Sequence, residues 1–264
     1  MKEITRKKML VMALFAGEIM LKNGGETYRV EDTIIRLCKS RGFKYVETIV
    51  TPTGIYLSVD HTDEKGEEGA MHSFVKRIKK RQINLEKVAK VNDFSRRFVQ
   101  EELTAEEGME LLKNIERSAP PFSNYQVAFF GGVTSSFFIL LLGANFLEFI
   151  SAFLATIFVT YTITILGEKD FASFTIHLVG GALAAFLAII LGQLHPEISI
   201  NRVIIGEIMV MVPGVAITNG VRDSIAGDLI SGLARAGEAL IVAVAIAFGV
   251  GFSLNLWTFL GGGL

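Results

Sequence analysis

Charge is distributed along this chain in two blocks. Of the 26 Lys and Arg residues, 22 lie before residue 121, and only Lys169, Arg202, Arg222 and Arg235 follow. The 27 Asp and Glu residues divide 19 to 8 at the same boundary. Such a chain folds in two solvents. Residues 1–121 have the composition of a water-soluble domain, and 122–264 that of an α-helical membrane domain. A nucleic-acid surface is not indicated, because the basic residues of the first block are matched by acidic ones. Cys38 is the only cysteine, which excludes an intrachain disulfide and a thiolate metal cage. The apolar run Met9 to Leu21 is interrupted by Gly17 and Glu18 and lacks a small-residue cleavage site, so it is not a secretory signal. The first domain is therefore expected in the cytoplasm.

That domain reads as α+β. Leu10, Ala13, Leu14, Gly17 and Leu21 share a helical face, and Asn23-Gly24-Gly25 stops the helix. A second helix follows over Val30 to Arg41. Strands are predicted over Phe43 to Val50, Ile55 to Asp60 and Met71 to Ile78, with a turn at Thr51 to Gly54. Two further helices cover Leu85 to Glu101 and Thr104 to Ile115, the latter opened by a Thr104/Glu107 capping box. Ser118 to Pro121 is the linker. No nucleotide-binding glycine loop, H-E-x-x-H or nucleophile motif is present, so neither enzyme activity nor a cofactor is expected. His61, Asp63, Glu64, Glu67, Glu68 and His72 have no regular ligand spacing and read as a solvated loop, not a metal site.

Five membrane spans are predicted: Tyr125 to Gly143, Phe149 to Leu166, Ala172 to Leu194, Ile198 to Thr218 and Arg235 to Trp257. Each approaches the roughly 20 residues a helix needs to cross a bilayer. Lys169 in the second short loop orients the N-terminal domain inside and the C-terminus outside. Small residues recur every fourth position in the third span (Gly180, Ala184, Ala188, Gly192) and the fifth (Ala239, Ala243, Ala247, Gly251). These are candidate packing seams. Five helices make a thin bundle, so one seam is expected to face another chain, which implies an oligomer.

The stretch Glu207 to Glu238, EIMVMVPGVAITNGVRDSIAGDLISGLARAGE, carries the chemistry. Glu207 falls mid-span, where an ionised carboxylate costs roughly 2.5–3.5 kcal/mol, so it is a proton or substrate site or a neutral, hydrogen-bonded group. Pro213-Gly214 breaks the fourth span, freeing carbonyls near Met209 and Val210 that could hold ions or substrate. Thr218, Asn219, Arg222 and Asp223 follow. Asp228, Ser231, Arg235 and Glu238, spaced three, four and three, share one helical face. On it Asp228 and Glu238 could bracket Arg235. This face either lines a vestibule, with Arg222 or Arg235 suited to a substrate carboxylate, or lies at the wet membrane surface as ordinary ion pairs.

Pro213-Gly214, Thr218-Asn219, Arg222-Asp223, Gly227-Asp228, Ser231-Gly232, Arg235 and Glu238 together resemble the threonine/serine exporter family of bacterial membrane proteins, in its N-terminal half. VETIVTPTGIYLSV and VNDFSRRFVQEELTAEEGMELL are similar to that family's cytosolic domain. Glu207 is outside the set that carries the resemblance. The resemblance implies proton-driven export of threonine or serine, or of a dicarboxylate such as succinate, across the bacterial inner membrane. It also implies a second small multi-span membrane subunit. We expect that subunit to have a similar helical plan and to sit inverted. Two other readings compete: a membrane-anchored sensor or enzyme acting through its cytosolic domain, and a passive channel. A mere tether needs neither Glu207 nor a broken helix.

Overall fold

The computed structural model describes residues 3–59, 71–169 and 171–263. The chain divides into two compact units, Met1–Pro120 with Val215–Ala236, and Pro121–Gly214 with Gly237–Leu264. The first boundary falls at the Ser118 to Pro121 linker. The segment 215–236, expected within 122–264, packs instead with the N-terminal residues, because its polar side chains find their hydrogen-bond partners there.

In the first unit, α1 (Glu3–Lys22) is the central element. One apolar face was expected; burial extends over most of the helix, with Met9, Met12, Ala13, Ala16, Ile19 and Met20 all enclosed and a stripe through Lys8 and Val11 left exposed. A helix with so broad an apolar surface packs against several neighbours at once. Its Gly17 lets Ile34 and Val30 of α2 (Thr27–Lys39) approach closely. The strands β1 (Val46–Thr51), β2 (Gly54–Val59) and β3 (His72–Arg77) form one antiparallel sheet in the order β1-β2-β3. Pairs Val46↔Val59 and Thr51↔Gly54 fix the first register, and Gly54↔Arg77 the second. Val46, Val50, Ile55, Leu57 and Val59 point into the core, as the alternation predicts. Helices α3 (Leu85–Gln100) and α4 (Ala105–Arg117) complete the layer, and the Thr104/Glu107 capping box is formed.

The second unit is built from α5 (Asn124–Leu140), α6 (Phe146–Glu168), α7 (Ser173–Leu194), α8 (Ile200–Met209) and most of α10 (Leu229–Phe259). A short helix, α9 (Gly214–Ile225), follows the break after α8. Among the described residues, α6, α7 and α10 are long and apolar enough to cross a membrane. The broken pair α8 and α9 makes a fourth if counted as one span. The first expected span is a helix of 17 residues, closed by a turn in which Gly143 has φ 75°.

The seams differ from the expected ones in one place. Gly180, Ala184, Ala188 and Gly192 do pack: a Cβ at Gly180 would stand 2.5 Å from Met211 Sδ, and one at Gly192 2.5 Å from Ile200. On α10, however, Ala243, Ala247 and Gly251 are exposed. The inward residues are Val242, Ala245, Ile246 and Gly249. A Cβ at Gly249 would overlap the carbonyl of Leu178, and one at Gly181 would stand 2.5 Å from the carbonyl of Ile246. The α7 and α10 backbones thus touch through Gly181 and Gly249. Ala243, Ala247 and Gly251 thus lie off the face of α10 that meets α7, small residues being present on both faces.

Candidate functional site

The residues singled out in the sequence separate into two groups, one in each compact unit. In the first, α9 and the first turns of α10 meet at glycines. A Cβ at Gly232 would overlap Ser224 Oγ and stand 2.8 Å from the carbonyl of Gly220. Gly227, with φ 98°, ends α9. There Asp228 N–H donates to the Asp223 carbonyl at 2.8 Å, the closing bond of a Schellman turn.

This arrangement aims a row of polar side chains at the connection between α1 and α2. Asn219 Nδ2 donates to the carbonyl of Gly24 at 2.8 Å, and Arg235 Nη2 to that of Gly25 at 2.8 Å. Arg222 Nη1 donates to Glu26 Oε1 at 2.7 Å. Thr27 donates twice, from its backbone N–H to Asp223 Oδ1 and from its hydroxyl to Asp228 Oδ2, each at 3.1 Å. Arg235 Nε donates to Asp223 Oδ2 at 2.8 Å. Ser231 Oγ donates to the Val50 carbonyl at 3.4 Å. Asp223 therefore does two things at once. It caps the first N–H of α2, where a negative charge is favoured by the helix dipole, and it neutralises Arg235. Both side chains are buried, at 0% and 7% exposure.

The counter-charge of Arg235 is thus Asp223, twelve residues back. Asp228 binds Thr27 instead of bracketing Arg235. Arg222 and Arg235, expected to suit a substrate carboxylate, are held by Glu26 and Asp223. Thr218 is exposed, and Glu238 is half-buried in the second unit. Burial acts to raise the Glu26 carboxyl, but its own backbone N–H and the guanidiniums of Arg222 and Arg29 outweigh this and hold it below the usual carboxylate range. Nearby Glu31 is displaced upward. Burial is the main cause, and Asp228 and Asp223 add to it, against the bond its Oε1 accepts from Val50 N–H at 2.7 Å.

In the second unit, Glu207 of α8 is completely buried, and among the described residues neither carboxyl oxygen has a hydrogen-bond partner. The break follows within a turn. Met211 N–H donates to the Ile208 carbonyl at 2.9 Å, Val212 N–H to the Met209 carbonyl at 3.4 Å and Gly214 N–H to the Val212 carbonyl at 2.8 Å. The Met209 carbonyl, expected to be free, is thus taken up by a tightened last turn. Pro213 is half-buried, and Gly214 is exposed with open space around it.

Two groups of residues were missed. Gly24, Gly25, Glu26 and Thr27 receive the polar row, and nothing local in their sequence signals it. Glu148 carried a readable signal. It lies three residues after Asn145, and the two form a capping box at the start of α6. Its carboxylate also accepts from Ser199 N–H at 2.9 Å and Arg202 Nε at 2.8 Å, joining the starts of α6 and α8. The acidic loop His61 to Gly69 lies outside the described residues. Among the described residues, no group of three or more His, Cys, Asp and Glu is arranged to hold a metal.

The sequence profile of the family described as "Putative threonine/serine exporter" matches residues 11–257. A threonine/serine exporter of Corynebacterium glutamicum is 24% identical over 251 residues, covering 93% of this chain and 50% of that protein. An uncharacterized protein of Schizosaccharomyces pombe is 24% identical over 202 residues, 74% of this chain and 24% of its own length. The chain therefore spans half the length of the first relative and about a quarter of the second, and relatives are not confined to bacteria. No solved structure matches it. With a profile that covers nearly every element described above, the chain belongs to the threonine/serine exporter family.

Proposed function

We propose that this chain forms part of a membrane exporter of threonine, serine or a related small carboxylate, driven by the proton gradient. The observation that carries the reading is Glu207: a carboxyl wholly enclosed in an apolar helical unit, unpaired, and close in sequence to the Pro213-Gly214 break. A tether or a sensor anchor gains nothing from such a group, whose burial is costly. The substrate class follows from family membership and from the name of the Corynebacterium relative.

In this reading the chain crosses the bacterial inner membrane five times, α5 included, with residues 1–121 in the cytoplasm and the C-terminus outside. Glu207 lies on the proton or substrate path with Pro213 and Gly214. Thr218, Asn219, Arg222, Asp223, Asp228, Ser231, Arg235 and Glu238 form its cytoplasmic end. The segment 219–235 serves as a latch on the connection between α1 and α2. A second helical membrane unit, in the same or a separate polypeptide, completes the transporter. The half-length match to the Corynebacterium exporter supports this.

The test is efflux from cells loaded with threonine, serine or succinate. The chain is expressed with and without its second unit, and the proton gradient is intact or collapsed. Gradient-dependent efflux of threonine or serine is expected, and Glu207→Gln is expected to reduce it at least tenfold with the protein still in the membrane. Efflux of succinate alone would move the substrate to dicarboxylates. Unchanged efflux of all three would refute the export reading, and efflux that survives collapse of the gradient would point to a passive channel.

A further inference from the structure

This inference rests on the transport reading and names the rest of the site around Glu207. Serine and threonine hydroxyls in apolar helices usually satisfy themselves by donating to the carbonyl four residues back. On α5 and α6, Thr134, Ser136 and Thr162 do so at 2.8 Å and Thr164 at 2.7 Å. Ser135, Thr156 and Thr160, on the same two helices, do not. Their hydroxyl oxygens are enclosed and without a partner among the described residues, like both oxygens of Glu207. Ser135, Thr156 and Glu207 are 0% exposed, and Thr160 is 6% exposed. A buried polar atom left unpaired costs about 1–3 kcal/mol, so four such side chains in one unit call for a reason.

Ser135, Thr156 and Glu207 lie at one depth, with Thr160 a turn away. A Cβ at Gly206, the residue before Glu207, would stand 2.9 Å from Ser135 Oγ. A Cβ at Gly131, one turn before Ser135, would stand 2.7 Å from Thr160 Oγ1. Helices α6 and α8 start together where Glu148 binds Ser199 and Arg202, and further along Val159 and Met211 share one core cluster. They therefore run parallel. Thr156 lies as far beyond Glu148 as Glu207 lies beyond Ser199, which puts the two at the same level, since both helices rise equally per residue.

We propose that Glu207, Ser135 and Thr156 form a binding site for a small monovalent cation. Carboxylate and hydroxyl oxygens are hard donors suited to such an ion. A single carboxylate balances a single positive charge, so the loaded site is neutral in an apolar surrounding, whereas a divalent ion would leave a buried net charge. A proton and Na+ both meet this chemistry. A proton resides on the carboxyl and neutralises it. Na+ takes the carboxylate and hydroxyl oxygens as ligands.

The experiment measures the melting temperature of the full-length chain in detergent in two arms. One titrates Na+ against choline at fixed pH and ionic strength, and the other titrates pH without Na+. Each is read as the difference between the wild type and Glu207→Gln. That difference removes the response of the other charged or titratable groups on the packed helices: Tyr125 on α5, Glu148, Tyr161 and Glu168 on α6, His177 on α7, Arg202 on α8, and Arg235 and Glu238 on α10. A saturable difference is expected. If it follows Na+ at fixed pH the ion is Na+, and if it follows pH alone the ion is the proton. Ser135→Ala and Thr156→Val should each weaken the half-saturating concentration about tenfold, the effect of one lost oxygen partner. These two variants still carry the test if Glu207→Gln fails to fold. Identical responses of wild type and Glu207→Gln in both arms, or unshifted midpoints in both hydroxyl variants, overturn the site. The export reading would then stand or fall on the efflux measurement alone.

Discussion

Cys38 offers a direct probe of the latch between segment 219–235 and α2. It is the only cysteine, it is fully buried on α2, and burial pushes its thiol up to about 12, so the folded protein should label slowly. Opening of α2 exposes it. Asp223 caps the first N–H of α2 and pairs with Arg235 inside the protein. Asp223→Ala removes both contacts and leaves a buried guanidinium without its counter-charge. Breaking a buried pair from one side costs about 3–5 kcal/mol, and the lost cap contributes about 1 kcal/mol more. At about 1.4 kcal/mol per factor of ten, the opened population should rise by at least two orders of magnitude. The rate of Cys38 labelling should rise by the same factor under conditions where reclosing outpaces reaction. Arg222→Ala breaks a pair whose arginine is 56% exposed. Such pairs contribute about 0–1 kcal/mol, so labelling should change less than about fivefold. Combining Asp223→Ala with Arg235→Ala should cost much less than the two singles together, because the second change removes the charge that the first exposed. Equal, small effects of Asp223→Ala and Arg222→Ala, or additive effects of Asp223→Ala and Arg235→Ala, would refute this account of the latch.

Two further outcomes follow from the packing and charges. Gly249→Ala should greatly reduce the yield of folded protein and its melting temperature, because the added methyl overlaps the α7 backbone at Leu178, whereas Gly251→Ala should leave both unchanged, having open space around it; equal effects would return the seam to the every-fourth-residue face. The carboxyls beside the latch should act oppositely with pH. The low-lying Glu26 stabilises above the ordinary carboxylate range and loses that contribution as pH falls through its folded value. The raised Glu31 stabilises at low pH and loses its contribution as pH rises through its own. Glu26→Gln should therefore speed Cys38 labelling at pH 7 by a margin that shrinks as the pH falls, while Glu31→Gln should slow it at pH 7. The reverse pattern would show that the causes assigned to these groups are wrong.

The long apolar helices α6 and α7, the strands of the first unit, the Thr104 cap and the break after α8 were legible in the sequence. Each depends on composition, alternation or a residue type that acts within a turn or two of itself. The partners of the polar row were not legible. Arg222 meets Glu26 and Asp223 meets Thr27 across 196 residues, and no local pattern encodes which buried carboxylate answers which guanidinium. The same holds for the inward face of α10, where small residues lie on both sides and only the approach of α7 decides which are enclosed. Sequence alone could say that hydrophilic groups sit where they are expensive. Tertiary structure decided which of them are repaid by a partner, as Arg235 is by Asp223, and which, like Glu207, are left bare, because desolvation depends on what other elements bring near.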